Sequence, residues 1–140
     1  AGSSETNPDV VSVSNHVSAV IVTFTGVHAT AIDVSATGES GGSGVTTLTF
    51  PAVTTTGTGR LIVLATSWSI DNADAQASNF VNTALTSLTE RVDVGTTDGN
   101  GGGIIIATGG KVTAGDTGTT AADLATSTLY TCFTVALVPA

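Results

Sequence analysis

The sequence predicts an all-β fold, a β-sandwich or jelly roll of about eight mostly antiparallel strands. Three observations carry this. Thr and Val dominate the runs between turns, and branching at Cβ suits a pleated surface better than a helix. Short stretches alternate apolar with polar at period two and are separated by Gly-rich turns. No long amphipathic helical repeat is present, which excludes an α/β architecture.

In chain order, residues 1–9 (AGSSETNPD) are small and polar, end in a turn-like Asn-Pro-Asp, and are expected to form a mobile arm. Residues 10–140 are expected to form one sandwich domain. Val11 and Val13 alternate with Ser12 and Ser14, the pattern of a half-buried strand. Residues 18–27 (SAVIVTFTGV) predict the next strand, with Val20, Val22 and Phe24 on one face. A Gly/Ser-rich loop is expected over 35–44, then a strand over Val45–Phe50 that Pro51 ends, because proline has no backbone donor. A loop is expected over 52–59. Arg60–Ile70 is apolar on both faces at its start, which places it centrally in a sheet. Asp71–Ser78 is polar and compatible with a short helix, and Leu88, Val92 and Val94 are the inward set of Leu85–Val94. Asp98–Gly103 is a hairpin turn, Ile104–Thr108 a short strand, Gly109–Lys111 a further turn, and Ala125–Val138 one long closing strand. The expected core is Val20, Val22, Phe24, Leu48, Leu61, Val63, Leu64, Ile105, Phe133 and Val135.

At 140 residues the chain can bury one core without a metal or disulfide. Charged residues are only 10%, and net charge is −8 with Arg60, Arg91 and Lys111 as the cations. Three scattered cations cannot replace phosphate counterions, so nucleic acid is excluded as a partner, and an anionic membrane surface is disfavoured likewise. Cys132 stands alone among apolar neighbours and reads as a small buried residue. No apolar run is long enough to span a bilayer as a helix, and the missing initial Met suggests a processed chain or a segment of a longer one.

No cofactor is expected. Gly38-Glu39-Ser40-Gly41-Gly42 matches G-x-S-x-G in form, but that motif needs a buried strand before the serine and a helix after it. A Gly/Ser loop reads better, and Ser40 is expected to be replaceable without effect. His16 and His28 lack a third ligand at a recognisable spacing. Asp71, Asn72 and Asp74 put hard oxygen ligands on one loop and are the candidate calcium site, with Asp98-Gly99-Asn100 a second, although such residues also form ordinary turns. Trp68 reads as core, which leaves few aromatics for stacking on sugars. Glu90-Arg91 reads as a surface pair on an edge.

The series SAVIVTFTGV, a Gly/Ser-rich loop, FPAVTTTGTGRLIVLATSW, LTERVDV and FTVALVPA resembles β-sandwich modules encoded by bacteriophages and found in secreted bacterial surface proteins. The resemblance covers about residues 18–140. It implies a non-enzymatic virion structural protein, a capsid decoration or a tail or fibre module, with an extracellular adhesion or glycan-binding module as the alternative. The location implied is the virion surface or the extracellular space, and the partners are copies of itself and a capsid or tail protein. Such modules carry further sandwich ahead of the strand at 18–27, and here only a short arm stands there. Either the chain is a trimmed version of such a module or its sheets are completed by another chain. Open edges are expected, with Val11 and Val13 as assembly residues that add a strand to a neighbour in a homo-oligomer, a trimer or higher-order array, and pairing of Val11 and Val13 within their own chain as the alternative.

Overall fold

The computed structural model describes residues 18–140; the arm at 1–9, the assembly candidates Val11 and Val13, and His16 lie outside the described residues. The described chain contains no helix. Its strands are β1 (Val27–Glu39), β2 (Val45–Phe50), β3 (Thr54–Thr55), β4 (Arg60–Trp68), β5 (Ala77–Val81), β6 (Thr86–Thr96), β7 (Gly102–Lys111), β8 (Gly115–Asp116), β9 (Thr120–Thr128) and β10 (Tyr130–Pro139). A five-stranded sheet runs β1-β10-β4-β7-β6 and a three-stranded sheet runs β2-β9-β5, with β3 and β8 forming a small separate pair. All pairs are antiparallel.

The pairs nest. β1 meets β10, β2 meets β9, β3 meets β8 and β4 meets β7, as if one long hairpin had been rolled up. That nesting is the connectivity of a jelly roll, and it puts the central strand β4 between the last strand and β7. At the open side of the roll, the Asp93 carboxylate of β6 accepts the backbone N–H groups of Gln76 (2.8 Å) and Ala77 (2.6 Å), stitching the edge of one sheet to the edge of the other.

Several expected elements change. Residues 18–25 form no strand, and strand pairing starts at Val27 and runs through Ser35–Glu39, so the loop expected over 35–44 shrinks to Ser40–Gly44. The cause is β10, whose Thr131–Val135 supply a complete antiparallel partner for Ser35–Glu39 despite their small side chains. Asp71–Ser78 contains no helix, and its last two residues begin β5. Gly109–Lys111 continues β7 opposite Arg60–Ile62. The expected closing strand divides at Leu129 into β9 and β10, which belong to different sheets.

The core between the sheets is built from Leu48 and Phe50 of β2, Ile62 and Leu64 of β4, Ile105 of β7 and Leu124 of β9, among others. Trp68 also lies there, as expected, and its indole covers Gly95 and Gly103 so closely that a Cβ at either position would run into the ring. Leu48, Val63, Leu64 and Ile105 are buried as expected, whereas Leu61, Val20, Phe24 and Val135 are only half-buried and Val22 is exposed. Phe133 is 43% exposed. Here the expected phase of β10 is reversed: Tyr130, Cys132, Thr134 and Ala136 point into the core, and Phe133 points out.

The inward set is chosen by hydrogen bonding. β2 is an edge strand of the smaller sheet, so backbone groups on its free side need partners. The Tyr130 hydroxyl accepts the Thr49 N–H at 3.0 Å, the Cys132 thiol donates to the Thr49 carbonyl at 3.4 Å, and the Thr134 hydroxyl donates to the Pro51 carbonyl at 2.7 Å. A one-residue shift would present Thr131, Phe133 and Val135 instead. Leaving those part-buried backbone groups unpaired costs up to about 1–3 kcal/mol each, which opposes the larger apolar area of the alternative row.

At the β1 edge, Asp33 sits in an irregular stretch of the ladder and accepts hydrogen bonds from the Thr56 hydroxyl, from the Thr56 N–H (3.0 Å) and from Arg60 Nε (2.8 Å). The hydrogen bond from the Thr56 hydroxyl and the one from Arg60 hold its pKa at about 2, against an ordinary 3.8.

Two outcomes follow for stability. Phe50→Ala should lower stability by about 3–5 kcal/mol, whereas Phe133→Ala should cost only about 1 kcal/mol; equal losses in chemical denaturation would show that the β10 phase is wrong. Because Asp33 binds its proton less readily when folded, its contribution is complete above about pH 4 and disappears as pH falls towards 2. The melting-temperature gap between the wild-type chain and Asp33→Asn should therefore be present at pH 6 and close by pH 2.

Candidate functional site

Reversing β10 moves its apolar row to the outer face of the five-stranded sheet. Directly opposed residues share a face, so Phe133 sits beside Ala65, Val135 beside Val63, and Leu137 beside Leu61. Across β4 and β7 the same face carries Ile104 and Ile106, and on β6 Val92 and Val94. Val63, Ala65 and Ile106 are buried there as a second cluster, separate from the inter-sheet core. Antiparallel sheets that face water normally show polar residues on that side. This face is a second apolar surface.

Residues 18–25 cross it without joining the sheet. Val20 and Phe24 pack onto the second cluster, while Ile21 is 57% exposed on the other side of the segment. Gly26 anchors the crossing, its carbonyl accepting the N–H of Ala140 at 2.8 Å. Among the described residues the cover is incomplete. Between Val20 and the β1 edge remains a groove of about 740 Å³, floored by Ala65, Ile104, Ile106 and Phe133 and rimmed by Thr37 and Thr131. Ile32, on the same edge strand and opposite Leu137, is 57% exposed.

Both strands bordering the five-stranded sheet resist addition of a further strand. β1 is irregular between Val27 and Val34 and carries the Asp33–Arg60 ion pair near its middle. β6 has two register shifts and carries Glu90, Arg91 and Asp93. Bulges and charges of this kind blunt an edge. The uncharged run Ile104–Ala107 is paired on both sides, by β4 and β6.

The other candidate residues are dispersed. Asp71, Asn72 and Asp74 lie together in the β4–β5 connection, where the Asn72 side-chain oxygen accepts the Asp74 N–H at 2.8 Å and closes a local turn. Among the described residues no group of three His, Cys, Asp or Glu side chains is placed to hold a metal ion. Asp98 closes the β6–β7 hairpin, its carbonyl accepting the Gly101 N–H at 3.1 Å. His28 lies at the start of β1, where Nδ1 accepts the Thr30 N–H, and Ser40 lies just past the other end, about 40 Å of strand away. Cys132 is buried, which pushes its thiol pKa up. Glu90 is raised by partial burial and then by the neighbouring Asp93 charge. Arg91 does not pair with Glu90; its Nε donates to the Thr108 hydroxyl at 2.8 Å.

Ser40 has a structural task that the composition of its surroundings hides. Its N–H donates to the Tyr130 carbonyl at 3.0 Å and its hydroxyl oxygen accepts the Tyr130 N–H at 3.1 Å, extending the β1–β10 ladder by one rung. Its expected replaceability is corrected accordingly: Ser40→Ala should lower stability by about 0.5–1.5 kcal/mol in denaturant titration. No protein-family model, curated protein or solved structure matches the chain.

Proposed function

We propose that the chain is a non-enzymatic structural module of a virus particle, a capsid decoration or a tail or fibre part, that works by binding copies of itself and a capsid or tail protein at the virion surface. The observation that carries this reading is the apolar outer face of the five-stranded sheet. Large apolar patches on a water-soluble surface mark contact with another macromolecule. Here the patch runs along β10 and β4 and ends in a partly filled groove. The surface around it is poor in charge, so few ions need to be desolvated when a partner lands.

The chemistry of the described residues supports a binding role over a catalytic one. Ser40 is engaged with the Tyr130 backbone, and His28 stands at the opposite end of its strand. The acidic residues of the β4–β5 connection make local turns. Trp68, the single tryptophan, is 3% exposed and offers no face on which a sugar could stack, which favours a protein partner over a glycan.

Two assays on the purified chain separate the readings. Co-sedimentation with purified capsids or tails, weakened at least tenfold by Phe133→Asp, is the expected result. Binding on a glycan array with no recruitment to particles would replace this reading with extracellular adhesion.

A further inference from the structure

We propose that the groove beside Phe133 receives the Val10–Ser14 segment of a second copy of this chain, laid on the outer face and not added to a sheet edge. This rests on the assembly reading above and gives that assembly its joint. The groove suits such a segment: its floor is apolar, and its rim carries the hydroxyls of Thr37 and Thr131 together with the Glu39 side chain. Val11 and Val13 alternate with Ser12 and Ser14, so an extended segment would set two valines on the floor and leave the serines to water or to the rim. Apart from His16, the stretch from Val10 to Val17 has no ionisable side chain to desolvate.

The length and character of the chain favour a neighbour over self-coverage. The described chain enters the groove region at Ser18–Val20, and 17 residues precede it. Extended, these reach on the order of 60 Å, about twice the length of β4, so they outrun their own sheet. From Val10 to Thr25 there is neither glycine nor proline, the residues that most readily supply a tight reversal. The blunted β1 and β6 edges leave the face as the better place to land. Donor segment and acceptor groove are different surfaces, so the contact either closes reciprocally as a dimer or repeats head to tail into a ring or filament.

The test uses two full-length variants. Val11→Asp/Val13→Asp spoils the segment and keeps the groove; Phe133→Asp spoils the groove and keeps the segment. By light scattering the wild-type chain should be a multimer and each variant alone should have the mass of one chain. Mixing the variants in equal amounts should restore a two-chain species, since one intact groove meets one intact segment. Should Phe133→Asp lose its β circular dichroism, Thr131→Lys at the rim takes its place. Failure of the mixture to form a two-chain species would overturn the proposal in favour of self-coverage. Multimers that survive in both variants would overturn the joint and leave the assembly reading standing. A wild-type chain that is a single copy at every concentration would remove both.

Discussion

The fold depends on how the last strand closes the backbone of another sheet. β10 is hydrogen-bonded on both sides within its own sheet, by β1 and β4, and its inward side chains reach across to satisfy the free side of β2. The Tyr130 hydroxyl and the Thr134 hydroxyl thus act as extensions of a ladder that β2 lacks on that side. Unpaired peptide groups in that part-buried position are costly, and the polar-bearing row goes in while the row with Phe133, Val135 and Leu137 goes out. The apolar outer face is the consequence of that choice.

Threonine performs the same service elsewhere. The Thr117 hydroxyl accepts the Val53 N–H, the Thr128 hydroxyl accepts the Ser69 N–H, and the Thr120 hydroxyl accepts from the Asn82 amide, each at a place where a strand gives way to a connection. All three threonines are buried. A β-branched residue with a hydroxyl fits a strand and caps a loop at once, which explains how a chain with so few charges holds its turns. Asp93 adds the one carboxylate stitch between β6 and the start of β5, where the roll is open.

Function, on the proposed reading, is a use of surplus apolar surface. The inner core is completed by small and polar-tipped residues from β10, and the apolar Phe133, Val135 and Leu137 of that strand are released to the outside, where Val20 and Phe24 cover only part of them. On that reading, the irregular and charged sheet borders leave the face as the place for association, where contacts are side chain to side chain.

The sequence by itself determined the all-β class, the position of β2 and of the β6–β7 hairpin, the central place of Arg60–Trp68 and the burial of Trp68 and Cys132. These follow from local rules: alternation, proline ending a ladder, glycine and asparagine supplying a turn, and a strand apolar on both faces needing cover on both. Only the tertiary structure decided the phase of β10, the strand status of Ser35–Glu39, the task of Ser40 and the loss of strand character at 18–25. In β10 both rows are plausible as core, and the deciding term is the unpaired backbone of Thr49 and Pro51, more than eighty residues away. Residues 35–39 are Ser, Ala, Thr, Gly and Glu, which read as loop until β10 arrives as a partner. Residues 18–25 alternate well enough for a strand, but the adjacent sheet borders are blunted, and what remains for them is the apolar face. Periodicity reports which residues prefer burial; which backbone groups need closing is set by partners distant in the chain, and that requirement chose the faces.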